Sequence, residues 1–146
     1  MGLRLAARAV IVEDGRLLLV NAFPGGQSML WCAPGGGVTP HSSLPETLAR
    51  EVYEETGLTI AVGVPCLVNE FHNPDTGFHQ IETFFRCRVT SGTLRDGWRD
   101  PENIVTRRRF VTRAEMAGLH VKPDSLARIA FEGGFGYDPL ERLVKP

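Results

Sequence analysis

The sequence predicts an α/β domain, and three observations carry that prediction. Apolar runs at residues 3–12, 17–20 and 79–89 have the length and composition of strands. Residues 43–57 read as a capped amphipathic helix. No internal repeat or linker divides the 146 residues, so a single domain, 1–146, is expected.

In chain order, LRLAARAVIV (3–12) is a strand, Asp14-Gly15 its turn and LLLV (17–20) its hairpin partner. Residues 21–28 form a polar loop. Met29 to Ala33 is a short strand running into a sharp turn at Pro34-Gly35-Gly36-Gly37, where glycine permits close backbone approach. Ser43-Leu44-Pro45-Glu46 has the capping-box pattern, and Gly57 ends the helix. Leu44, Leu48 and Val52 recur every four residues as its buried stripe. Leu58 to Val68 is a strand broken near Gly63 and Pro65, and Asn73 to Gly77 is a turn. In the strand 79–89, Gln80, Glu82, Phe84, Arg86 and Arg88 share one face. Residues 91–104 form a polar loop, 105–111 a short strand, and 113–119 and 124–131 helices. The tail after Gly133 has no assignable element.

Lys+Arg is 16 and Asp+Glu is 17, a net charge of −1, so no strong field draws nucleic acid or an anionic membrane. Cys32, Cys66 and Cys87 include no CxxC pair and are expected as buried free thiols. No apolar stretch is long enough to span a membrane, and acidic Glu13-Asp14 interrupts the N-terminal apolar run. A cytoplasmic protein is the expectation.

The chemical signal is Arg50-Glu51-Val52-Tyr53-Glu54-Glu55. Helical geometry puts Glu51, Glu54 and Glu55 within one arc, outside the buried stripe. Three carboxylates so close repel, and Arg50 offsets part of this by pairing with Glu54. A hard divalent cation offsets far more; a solvated helix face is the competing reading.

The surrounding residues weight the choice. Trp31 precedes Pro34-Gly35-Gly36-Gly37, the capped helix follows, and it closes with Glu54-Glu55-Thr56-Gly57-Leu58. This resembles the Nudix hydrolase family, whose box is Gly, five residues, Glu, seven residues, then Arg-Glu-apolar-X-Glu-Glu-X-Gly-apolar. The box begins at Gly36 and closes with Arg50, Glu51, Val52, Glu54, Glu55, Gly57 and Leu58. Its early glutamate is replaced by Ser42, and His41 stands where glycine is common. The resemblance implies an α/β/α sandwich around a mixed sheet with a catalytic loop-helix-loop. It implies metal-dependent hydrolysis of the pyrophosphate linkage in a nucleoside diphosphate joined to another moiety. Glu51, Glu54 and Glu55 are then metal ligands for Mg²⁺ or Mn²⁺, with Gly35 contributing its carbonyl. Glu51 also helps activate water, and Arg50 orients the glutamates. Ser42 replaces the most dispensable acid of the box.

Relatives draw a further acid from outside the helix. Glu102, in the long loop, is favoured for metal or water activation. Glu82, on the polar strand face, is the alternative, read otherwise as a substrate contact or a partly exposed strand acid. Glu115 is a favourable first-turn charge. Arg8 shares a face with Arg4 and is a candidate substrate contact. Phe78, like Phe23 and Phe71, is placed in a loop and available to stack on a base. His41 is a candidate phosphate contact, against a solvated loop histidine. Arg107, Arg108 and Arg109 alternate faces and cannot all reach one substrate.

The expected partner is a nucleotide or nucleotide derivative, with no stable nucleic-acid complex and no membrane; a homodimer is the default oligomer. The competing function is a non-catalytic nucleotide-binding module, against which the intact helix glutamates argue.

Overall fold

A computed structural model describes residues 2–146. Strands β1 (Arg4–Glu13) and β2 (Arg16–Asn21) form the expected hairpin. Asp14 and Gly15 both have positive φ, 50° and 73°, the backbone of a primed turn that matches strand twist. Short β3 (Trp31–Cys32) pairs with β2, and β4 (Gly35–Gly37) pairs with β1 through Ala6, Ala7 and Arg8. After helix α1 (Leu44–Thr56) come β5 (Thr59–Asn73) and β6 (Phe78–Ser91), an antiparallel pair. β6 also runs parallel to β1, from Arg4 opposite Gln80 to Ile11 opposite Cys87. β7 (Arg108–Val111) adds to β2, and the chain continues through α2 (Arg113–Met116) and α3 (Leu126–Glu132). Finally β8 (Gly136–Arg142) runs parallel to β5 at the sheet edge.

Apolar residues fill both faces of this mixed sheet. On one, Leu48 and Val52 of α1 pack on Ala7, Ala9, Ile11, Leu18 and Phe85. On the other, Leu126 and Ile129 of α3 and Met116 of α2 pack on Val10, Leu17, Leu19 and Phe84. The result is an α/β/α sandwich with β1 at its centre.

Three elements, β4, β5 and β8, differ most from the sequence expectation. Gly35–Gly37 is a strand rather than a turn. A Cβ at Gly35 would stand 2.0 Å from the Ala7 carbonyl oxygen, so the close approach that glycine permits is to β1 itself. β5 is continuous through Gly63 and Pro65, because register shifts between Val62, Pro65 and Leu67 absorb them as bulges. It also runs on to Asn73, which puts Phe71 and Phe78 on strands rather than in loops. The tail forms β8, whose Pro139 is tolerated at a sheet edge.

Cys66 is buried, whereas Cys32 and Cys87 are only half-buried, and all three are free. Burial pushes the Cys32 and Cys87 thiols up to about 12. Among the described residues no helix is long and apolar enough to cross a membrane.

Candidate active site

The site is built on α1. Ser43 Oγ accepts from the Glu46 amide at 3.1 Å, and Glu46 Oε1 accepts from the Ser43 amide at 3.4 Å, which fixes the first turn. At the other end Gly57 (φ 76°) donates to the Tyr53 carbonyl at 2.8 Å. The last carbonyls also find side-chain donors. Trp98 Nε1 donates to Glu54 O at 2.9 Å, and Arg108 Nε donates to Glu55 O. The segment after β6 is thereby pinned across the C-terminal end of α1.

Two of the three helix carboxylates are buried rather than solvated: Glu51 is 9% exposed and Glu55 8%. Burial pushes the Glu55 carboxyl up to about 8 against the pull of Arg8 and of the Gly35 amide, which donates to Glu55 Oε1 at 3.1 Å. Burial also raises Glu51, opposed by Arg50 and reinforced by the charges of Glu102 and Glu54. Glu51, Glu54 and Glu102 bring one carboxylate oxygen each within 4.8 Å of one another. Arg50 Nη1 reaches Glu51 at 3.4 Å and Glu54 at 3.3 Å, while its Nη2 meets Thr39 Oγ1 at 3.3 Å. Three anionic oxygen donors with one arginine behind them are a donor set suited to a hard divalent cation.

Glu82 lies elsewhere. It is 5% exposed and accepts from Arg8 Nε at 2.7 Å, Gln80 Nε2 at 2.9 Å and Asn69 Nδ2 at 3.0 Å. The competing reading of Glu82, a partly exposed strand acid paired with a neighbouring arginine, meets its arginine in Arg8 but in a buried network, and the acidic trio takes Glu102 rather than Glu82. Arg8 Nη1 also donates to the carbonyls of Ala33 and Gly35, at 3.2 and 3.3 Å. The Gly35 carbonyl, implied as a metal ligand, therefore faces a guanidinium.

Sequence reasoning missed what holds Glu102. Asp100 is buried and accepts from the amides of Glu102, Ile104 and Val105 at 3.0, 3.1 and 2.8 Å. Asn21 Oδ1 accepts from the amides of Thr106 and Arg107, and its Nδ2 donates to the carbonyls of Phe23 and Ile104. Asp-Pro followed by Glu-Asn is a turn signal at Asp100, but nothing in sequence points Asn21 at residues 83 to 86 positions away. Arg107 and Arg109 lie over the Trp31 ring, at 5.0 and 5.9 Å.

Two adjoining clefts open on this region. The acidic one, about 410 Å³, takes in Gly35–Gly37, Arg50, Glu51, Glu55 and Glu102. The other, about 430 Å³, is largely apolar and takes in Phe23, Phe71, Phe78 and Leu143 together with Asn69 and Glu82. Arg4 and Arg8 line both. His41 (φ 70°) and Ser42 are exposed in the turn before α1 and line neither, and the Ser42 amide donates to Thr39 O at 3.1 Å.

Comparison with known proteins gives the same picture at the level of the whole chain. The NUDIX domain matches residues 2–129. A MutT-like protein of Streptomyces ambofaciens is 32% identical over 130 residues, covering 80% of this chain and 79% of that one. A NUDIX hydrolase structure from Nitrosomonas europaea superposes with a TM-score of 0.73 at 22% identity, covering 90% of this chain and 88% of the other. A UDP-X diphosphatase structure does so at 0.72 and 21%, covering 94% and 68%. At these identities the two structures speak for the fold.

Proposed function

The chain belongs to the NUDIX hydrolase family and is a pyrophosphohydrolase, and from that premise we propose that it cleaves a nucleoside diphosphate joined to a second moiety. The observation that carries the substrate class is the placement of Arg4 and Arg8. They line both clefts, so they stand between an acidic site and an aromatic one. A diphosphate lying along them puts its reacting phosphorus toward Glu51, Glu54 and Glu102 and a flat base among Phe23, Phe71 and Phe78.

In this reading Glu51, Glu54 and Glu102 hold Mg²⁺ or Mn²⁺, and Glu55 lines the acidic cleft together with Glu51 and Glu102. When bound, such a cation neutralises phosphate charge and acidifies water. Arg50 keeps Glu51 and Glu54 oriented through its two ion pairs. Glu55 fastens β4 to α1 through the Gly35 amide, so the cleft floor stays fixed as the substrate enters. Arg8 is held by Glu82 and keeps its charge, which suits it to face phosphate. Three cysteines without a pairing suit a reducing compartment, and we place the enzyme in the cytoplasm.

The test is a panel of nucleoside triphosphates, dinucleoside polyphosphates, nucleotide sugars and ADP-ribose, with product masses, with and without Mg²⁺. Metal-dependent release of a nucleoside monophosphate, or of pyrophosphate and its partner, supports the reading. Full turnover in chelator, or no turnover of any nucleotide, sinks it.

A further inference from the structure

Resting on that nucleotide reading, the structure assigns to Asn69 the selection of the base: we propose that its Oδ1 accepts a hydrogen bond from an N–H donor on the nucleobase. Asn69 is 4% exposed and lines the aromatic cleft. Its Oδ1 is buried without a hydrogen-bond partner. Among the described residues three other side-chain atoms share that condition, on Thr47, His79 and Ser125, and none of those residues lines either cleft. An unpaired buried acceptor is costly, and in a residue that lines a cleft a donor on the bound ligand removes that cost.

The orientation of the amide is forced. Asn69 Nδ2 donates to Glu82 Oε1 at 3.0 Å, and a carboxylate engaged with Arg8 can only accept. Turning the amide would set oxygen against oxygen, so Nδ2 stays on Glu82 and Oδ1 remains free. The neighbouring amide is already spent. Gln80 Nε2 donates to Glu82 Oε2 at 2.9 Å, and Gln80 Oε1 accepts from Arg4. Asn69 thus brings one unspent amide acceptor to the lining that it shares with Phe71 and Phe78, whose rings stand 6.0 Å apart. The two rings already touch each other, so a planar base stacks on their outer faces and turns its polar edge toward Asn69. The atom meeting Asn69 must be a donor, such as a ring N–H or an exocyclic amino group.

The test compares ATP, GTP, CTP and UTP with their N-methylated counterparts: N6-dimethyl-ATP, 1-methyl- and N2-dimethyl-GTP, N4-dimethyl-CTP and 3-methyl-UTP. For the preferred base, removing the donor should lower kcat/KM about tenfold or more, mainly through KM. Asn69→Leu should accept the methylated and parent forms of that base equally, a readout that a purely structural role for Asn69 leaves unmoved. The comparison on the unaltered protein needs no variant and stands even if Asn69→Leu folds poorly. Turnover of nucleotides with no discrimination against any methylated base overturns the assignment and leaves the hydrolase reading in place. A preference that persists in folded Asn69→Leu also overturns it. No turnover of any nucleotide overturns both.

Discussion

Gly36 lies against the carboxylate of Glu51. A Cβ at position 36 would stand 2.8 Å from both Cδ and Oε2 of that side chain. The obstacle is the far end of a flexible side chain, not backbone. Gly36→Ala is therefore expected to cost about 1 kcal/mol of stability or less while moving Glu51 out of the acidic trio. Its kcat should fall roughly tenfold to a hundredfold. Thermal melting set beside kinetics checks this; an equal loss in both would show a packing defect instead.

Glu54→Gln and Glu102→Gln each remove one charge from the trio. Both should weaken Mn²⁺ binding about tenfold or more and lower kcat. Without metal, Glu54→Gln loses its pair with Arg50 and also loses repulsion, so stability should stay within about 0.5 kcal/mol. Glu82→Gln behaves differently, because it leaves Arg8 buried beside an uncharged amide. It should lose about 3 kcal/mol of stability. Ser42→Ala, at an exposed turn, should keep turnover within about tenfold, or 1.4 kcal/mol. Calorimetric Mn²⁺ titration, melting curves and steady-state kinetics together separate these four.

Asp100→Ala deletes three backbone hydrogen bonds at the base of the Glu102 loop. Asp100 positions rather than reacts. The variant should bind Mn²⁺ about tenfold more weakly, and high Mn²⁺ should restore most of its turnover. Turnover that stays low at saturating metal would assign Asp100 a direct part in the chemistry.

Cys32 and Cys87, with thiols near 12, should resist alkylation at pH 8.5. Native protein should react roughly a hundredfold more slowly than protein unfolded in urea. The same shifts act on stability. Above about 9 the unfolded thiols lose their protons while the folded ones keep theirs, so stability falls as pH climbs from 9 toward 12. Mass-resolved iodoacetamide labelling measures the first effect and melting between pH 8 and 10.5 the second.

What was legible in the sequence was local. The capping box at Ser43, the Gly57 stop, the Asp14-Gly15 turn and the i, i+3, i+4 carboxylates depend on neighbours a few residues away. The burial of Glu51, Glu55, Gln80 and Glu82 was not legible, because alternation tells which residues share a face but not what covers it. β8 carries little apolar signal, being a mostly exposed edge strand. The acidic trio was half legible. Two of its members follow from helix periodicity, while Glu102 is delivered by the local turn at Asp100 and by Trp98 and Arg108, whose partners on α1 lie far along the chain.

The parallel pairing of β1 with β6 also bears on the birth of the molecule. The Arg8–Glu82 bond joins residues 74 apart, across a ladder that cannot close until β6 exists. On the ribosome, then, the first hairpin emerges with Ala7, Ala9 and Ile11 uncovered and one whole edge of its central strand unmatched. Such an edge is an adhesive surface for other nascent chains. Synthesis of the intervening residues takes on the order of seconds, far longer than closing a loop of that length, so the interval of exposure is set by translation.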